Sequence, residues 1–178
     1  MDIEKLKFPI GKFVKPVKIT SGHLQEWITD ISTFPARISK EVLDLTDPQI
    51  DTPYRPDGWT LRQVVHHCAD SHMNSLIRLK LALTEDQPVI KPYFEELWAE
   101  LTDTKNMPIH PSLKMLEGIH ERWTSLLNSL TKDQLERVFI HPEQGKTFRI
   151  DENIGLYAWH GNHHLAHIVE TKKRHNWI

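Results

Sequence analysis

A chain of 178 residues suits one domain and can bury roughly two-thirds or more of its unfolded surface. With 39% hydrophobic and 26% charged residues it has the make-up of an ordinary globular protein. A net charge of −2 leaves no electrostatic footprint for nucleic acid or an anionic membrane.

Residues 1–20 carry Pro9, Gly11 and Pro16 among Lys and Phe residues without a sustained period, so an extended arm is expected, packed through Phe8 and Phe13. From about Ser21 to Leu45, the series Leu24, Trp27, Ile28, Ile31, Phe34, Ile38, Val42 and Leu45 predicts a first helix. Pro35 falls inside it and is expected to kink or break it near Thr33. The Pro- and Asp-rich stretch from Thr46 to Gly58 predicts a loop. Thr60 is a plausible N-cap for a second helix over about Leu61–Leu83, with Leu61, Val64, Val65, Cys68, His72, Leu76, Leu79 and Leu83 inward.

Glu85 to Pro111 is a long, proline-punctuated connection with room for a short helix around Tyr93–Leu101. Connections this long are uncommon unless they cross a bundle or cover a site. A third helix is expected over Ser112–Leu130, through Leu116, Ile119, Trp123, Leu126, Leu127 and Leu130. Val138–His141 and Thr147–Ile150 flank a turn-rich segment and predict a small hairpin. Asp151 or Asn153 would then cap a fourth helix reaching about Arg174. The expected architecture is all-α: one domain over residues 1–178, a four-helix bundle with a long crossover connection and a small β-hairpin.

No apolar run approaches the roughly 20 residues needed to span a bilayer, and the N-terminus lacks a signal-peptide core. The single Cys68 excludes an internal disulfide and fits a reducing cytoplasm. Six Trp and twelve His residues are the compositional oddities. At near-neutral net charge, that much histidine suits a metal better than a polyanion.

The fourth helix concentrates the histidines. His160, His163, His164 and His167 form two pairs spaced i, i+4, and each pair shares a helix face. Ile154, Tyr157, Gly161, Leu165 and Ile168 mark the apolar stripe. At about 100° per residue, His164 falls roughly 70° from the stripe centre and His160 about one further step out. The core-facing pair is therefore His160 and His164, with His163 and His167 in solvent or supporting the ligands from behind. A third ligand must come from elsewhere. On the second helix His72 sits near the stripe centre and reads as a hydrogen-bonded core residue. His66 and His67 each fall about 130° from that centre, and periodicity does not choose between them.

Two motifs resemble the DinB-like superfamily. Gly58-Trp59-Thr60-Leu61-Arg62-Gln63-Val64-Val65-His66-His67-Cys68-Ala69-Asp70 resembles its Trp-Thr helix start leading to a His, a small apolar pair and an Asp. Trp159-His160-Gly161-Asn162-His163-His164 resembles its C-terminal motif, and the resemblance covers essentially the whole chain. It implies a divalent ion held by His67, His160 and His164, and it chooses His67 over His66. It also implies a homodimer, to which six Trp and an apolar arm would contribute.

Three neutral imidazoles add no charge to offset a cation, so water beside it would ionise far more readily than in bulk. Nitrogen-rich ligation suits Zn, Ni, Cu or Fe(II) alike, and availability makes Zn, followed by Ni, the expected ion. A hydrolase that activates water for a small-molecule substrate is the first expectation. A zinc-protease arrangement is excluded, because Gly161 stands where such a motif places its Glu. Asp70, one turn beyond His67, would orient that imidazole, act as a base, or lie in solvent. A thiol S-transferase for low-molecular-weight thiols is the alternative, since Cys68 lies on an apolar face and offers no nucleophile of its own. A non-catalytic metal-binding bundle is the third reading.

Overall fold

The computed structural model describes residues 2–143 and 145–177. The N-terminal arm is not wholly extended: it opens on a one-turn helix, α1 (Ile3–Lys7), where the Asp2 carboxylate accepts from the Glu4 amide at 3.0 Å. The first long helix, α2 (Ser21–Val42), starts from a capping box. The Thr20 hydroxyl accepts from the His23 amide, and the His23 ring accepts from the Thr20 amide.

Pro35 does not break α2, contrary to expectation. Its missing N–H leaves the Ile31 carbonyl without its partner one turn later. The His120 ring, arriving from another helix, donates to that carbonyl at 2.5 Å. The freed backbone group is thus satisfied from outside, and the helix runs on.

A short helix, α3 (Asp47–Ile50), lies in the expected loop. The second long helix, α4 (Leu61–Thr84), begins where Thr60 predicts it. Thr60 Oγ1 accepts from the Gln63 amide at 3.2 Å, and Gln63 Oε1 accepts from the Thr60 amide at 2.8 Å. The long connection holds α5 (Glu95–Trp98), inside the range expected for a short helix, and a second one, α6 (Thr102–Asn106), beyond it. The third long helix is α7 (His110–Asn128), followed by a short α8 (Lys132–Glu136).

The hairpin forms from β1 (Val138–His141) and β2 (Lys146–Arg149), antiparallel, with Phe139 opposite Phe148. Ile150 belongs to the last helix rather than the strand, and α9 runs over Ile150–His175. Its N-cap is Arg149, not Asp151 or Asn153. Asp151 sits in the first turn instead, paired with Arg149 at 2.8 Å, where a carboxylate suits the positive end of the helix dipole.

The four long helices close a ring: α2 packs on α7 and α9, and α4 packs on the same two. This is a four-helix bundle. Two apolar clusters fill it. One surrounds Trp123, Ile154 and Phe139, and the other surrounds Phe34, Leu61, Val64 and Ile168. Fully buried side chains of this size stabilise the fold by about 1.5–3 kcal/mol each. His72 bridges the clusters, with its ring 5.1 Å from Phe34 and 5.9 Å from Trp123.

Helix α9 approaches α2 closely because two of its inward positions lack a side chain. A Cβ at Gly155 would lie 2.8 Å from the Trp27 ring, and one at Gly161 would lie 3.0 Å from Phe34. The glycine after His160 is therefore a packing requirement. Among the described residues, no helix is long and apolar enough to cross a membrane.

Candidate metal centre

The capping box at Thr60 sets the phase of α4, and that phase turns His67 toward α9. Its Nε2 lies 3.2 Å from His160 Nε2, close to the roughly 3.3 Å between two nitrogens on a tetrahedral zinc with bonds of about 2.05 Å. The His164 ring stands 4.8 Å from His67 and 4.5 Å from His160, centroid to centroid. One potential ligand atom from each of the three lies within 4.8 Å of the others. Among the described residues, this is the group of His, Cys, Asp or Glu side chains that could share an ion.

His66 is turned away from this centre. Its Nε2 donates to the Met107 carbonyl at 3.2 Å, and its Nδ1 accepts from the Ser112 hydroxyl at 2.7 Å. Both nitrogens are occupied, which separates it from His67 where the helical wheel did not.

Hydrogen bonds behind the group decide which nitrogen His160 and His164 present to it. A carbonyl only accepts, so the His120 nitrogen facing Ile31 O carries a proton, and the other nitrogen of a neutral ring does not. His120 Nε2 therefore accepts from His72 Nδ1 at 2.7 Å. His72 Nε2 is then bare and accepts from His160 Nδ1 at 3.0 Å. The chain of bonds leaves His160 Nε2 with a free lone pair, directed at His67. A second chain does the same for His164. The Lys7 carbonyl accepts from His167 Nε2 at 3.1 Å, and His167 Nδ1 accepts from His164 Nδ1 at 3.4 Å. That leaves His164 Nε2 bare. These tautomers follow from the bonding network, as they must for hydrogens.

All of these rings are neutral near pH 7. Burial is the main cause, since a low-polarity surrounding disfavours the cation, and neighbouring imidazoles add to it. His67 is pushed down to about 4, and His120 to about 4 by burial. His72, His160 and His164 lie well below the ordinary histidine value. Neutral imidazoles with aligned lone pairs are the donor set a divalent transition metal takes.

His163 and His167 are not in solvent; both are buried. The N-terminal arm, which has no period of its own, lies across them. Phe8 stands 5.8 Å from the His163 ring, Phe13 stands 6.4 Å from Trp159, and Trp159 Nε1 donates to the Gly11 carbonyl at 3.1 Å. Tyr54 stacks on His167 at 3.9 Å. The arm turns an outer helix face into an inner one.

Asp70 makes no hydrogen bond to His67 among the described residues; burial, with Asp103 nearby, pushes its carboxyl up to about 6. Cys68 is fully buried on the apolar face, and burial raises its thiol far above the ordinary range. Beside His160 a cavity of about 460 Å³ opens between α4, α5, α9 and the hairpin, walled in part by Ser71, Tyr157 and Phe139. None of its polar residues outside His160 was foreseeable from spacing, because they come from four separate segments.

A model of the DinB superfamily matches residues 31–168. The chain belongs to the DinB superfamily. It is 55% identical over 172 residues to a Bacillus cereus protein named "Putative metal-dependent hydrolase", covering 97% of this chain and 98% of that one. A protein of the same description from Oceanobacillus iheyensis is 54% identical over 171 residues, covering 96% and 98%. Among solved structures, YfiT from Bacillus subtilis, described as "a probable metal-dependent hydrolase with an unusual four-helix bundle topology", superposes with a TM-score of 0.95. That match has 46% identity and covers 98% of this chain and 99% of YfiT.

Proposed function

We propose that this DinB-superfamily protein is a hydrolase working with one divalent metal ion held by His67, His160 and His164. The observation that carries the reading is the convergence of three neutral imidazoles, from α4 and α9, one of which, His160, lines a cavity. The names of the Bacillus and Oceanobacillus relatives point the same way. An ion held there would supply Lewis acidity, the property that lets water act as a nucleophile at neutral pH.

The rest is done by the chain. Three side chains bring no charge of their own, so they leave the ion's full charge to act on what enters the cavity. Three ligands rather than four is the pattern of catalytic zinc sites, and all-nitrogen ligation suits zinc or nickel. The two imidazole chains hold His160 and His164 in one tautomer before any ion arrives. Tyr157, 5.4 Å from the His160 ring, walls the cavity on the side of the bundle core.

The experiment is a metal analysis followed by a turnover assay. Freshly purified, chelator-free protein is expected to hold one zinc or nickel per chain. Panels of carboxylic and phosphate esters should then show turnover that stops with chelator and returns with the ion. A protein that holds no stoichiometric ion and cannot be reloaded sinks the proposal.

A further inference from the structure

Away from the three histidines, the cavity walls hold an unusual set of polar atoms. Arg78 Nε, Tyr93 Oη and His141 Nδ1 are all buried; none makes a well-formed hydrogen bond among the described residues, although the Ser71 hydroxyl stands near Tyr93 Oη. All three residues line the cavity that also reaches His160. Unpaired buried polar atoms cost a folded chain free energy, so three around one space call for an explanation.

Each can donate into the cavity: arginine only donates, a tyrosine hydroxyl donates as well as accepts, and His141 Nδ1 donates in one of the ring's two neutral tautomers. Arg78 has no carboxylate within 4.0 Å among the described residues, and it donates one long hydrogen bond, from Nη1 to Tyr157 Oη at 3.5 Å. Charges of the other sign stand at the exposed rim: Glu95, Glu96 and Glu143 all line the same cavity, and Glu95 lies near enough to Arg78 for the two charges to attract. One inner cation, with further donors beside it and three carboxylates at the rim, suits a small ligand with one anionic group and disfavours a polyanion.

We propose that Arg78, Tyr93 and His141 form an oxyanion-binding subsite, which holds a carboxylate or phosphate group of the substrate while its reacting bond lies at His160. The subsite deepens the hydrolase reading and rests on it for its role. Arg78 is the specificity-determining residue, because a guanidinium offers the planar pair of donors that either group accepts. The same Tyr157 hydroxyl that meets Arg78 accepts from Ser71 at 3.4 Å, which ties the subsite to the wall beside the metal centre.

The test separates anion recognition from catalysis. Succinate, inorganic phosphate and the neutral control succinamide are titrated into zinc-loaded protein, followed by amide NMR shifts. Succinate or phosphate, or both, should move the amides of Arg78, Tyr93 and His141, and succinamide should not; which anion binds more tightly identifies the group. Arg78→Met should weaken that binding about tenfold to a hundredfold, the range for a hydrogen bond to a charged group. Tyr93→Phe, which keeps the ring, should weaken it about threefold to tenfold and serves if Arg78→Met does not fold. Anions that shift only residues around His67 and His164, with equal strength in both variants, would bind the ion alone and overturn the subsite. In turnover, a succinate half-ester should be preferred over the matching neutral ester, and Arg78→Met should erase the preference. Anion binding at Arg78 without turnover of any ester would leave the subsite standing and defeat the hydrolase reading. Ester turnover without charge preference or anion binding would do the reverse.

Discussion

The two imidazole chains behind the three converging histidines use one device in two different settings. His160 is held through His72 and His120 to the Ile31 carbonyl, inside the bundle, where His72 and His120 are almost inaccessible. His164 is held through His167 to the Lys7 carbonyl, on an arm that lies over the surface of α9. Both chains end on a backbone carbonyl, and both leave Nε2 bare. What differs is the anchor. The inner one is a helix carbonyl that Pro35 leaves without an amide. The outer one belongs to an arm held by aromatic contacts and the Trp159–Gly11 bond. The same spacing and residue type therefore place one histidine in the converging group and another behind it, and the partner across the gap decides which.

Removing a ligand should have the largest effect. His160→Ala or His164→Ala is expected to weaken zinc binding by more than roughly a hundredfold, beyond the loss typical of an outer partner. His163→Ala should stay within about threefold of the parent, since its Nδ1 has no partner among the described residues and its ring contacts the arm. Chelator competition measures both. Equal loss in all three variants would erase the distinction between the faces of α9.

Acid should expose the burial on which both chains depend. His67 and His120 titrate near 4 when folded and near 6.5 when unfolded, so the unfolded state binds more protons between those values. Stability of the metal-free protein should be flat above pH 7 and fall below 6.5. By pH 5 each of these two groups accounts for about 2 kcal/mol of the loss. Thermal unfolding across pH 4–8 reads this directly, and His120→Leu should make the slope shallower. A stability that rises on acidification would reverse the sign and refute neutral burial.

Much of this was legible before any coordinates. Thr60, Gln63 and the stripe from Leu61 to Leu79 are local signals, and α4 starts where they put it. His160 and His164 are separated from His163 and His167 by angle alone. The rest depends on partners distant in sequence. His120 sits four residues after Leu116 and three before Trp123, at a core position, but its role needs Pro35 on another helix. His163 and His167 read as outward because the arm that covers them carries no period. Arg78, Tyr93 and His141 come from a helix, a connection and a strand, and spacing says nothing of their meeting.

The inner chain should matter more than the outer one for metal affinity. His72→Leu keeps the volume apolar but removes the acceptor for His160 Nδ1, so His160 can place its proton on either nitrogen. Zinc affinity should fall about tenfold to a hundredfold, the usual effect of losing a ligand's outer partner. Nitrogen NMR of the metal-free protein should show His160 protonated at Nδ1 in the parent and a tautomer mixture in the variant. A single unchanged tautomer would mean that the chain does not set it.

Deleting residues 1–14 tests the outer chain and should give a smaller effect than breaking the inner one. The deletion takes away the Lys7 carbonyl, yet it also opens His167 to water, which accepts a proton as readily as a carbonyl does. His167 can then keep its Nε2–H and still accept from His164. Affinity for zinc should fall only about threefold to tenfold, less than for His72→Leu. His167→Phe fills the same space without a nitrogen and offers no such substitute. It should lose more affinity than the deletion, although it leaves the arm in place. If the deletion proves worse than His167→Phe, the arm holds the centre by packing, through Phe8 on His163 and Phe13 on Trp159, and not through the carbonyl that fixes the proton on His167.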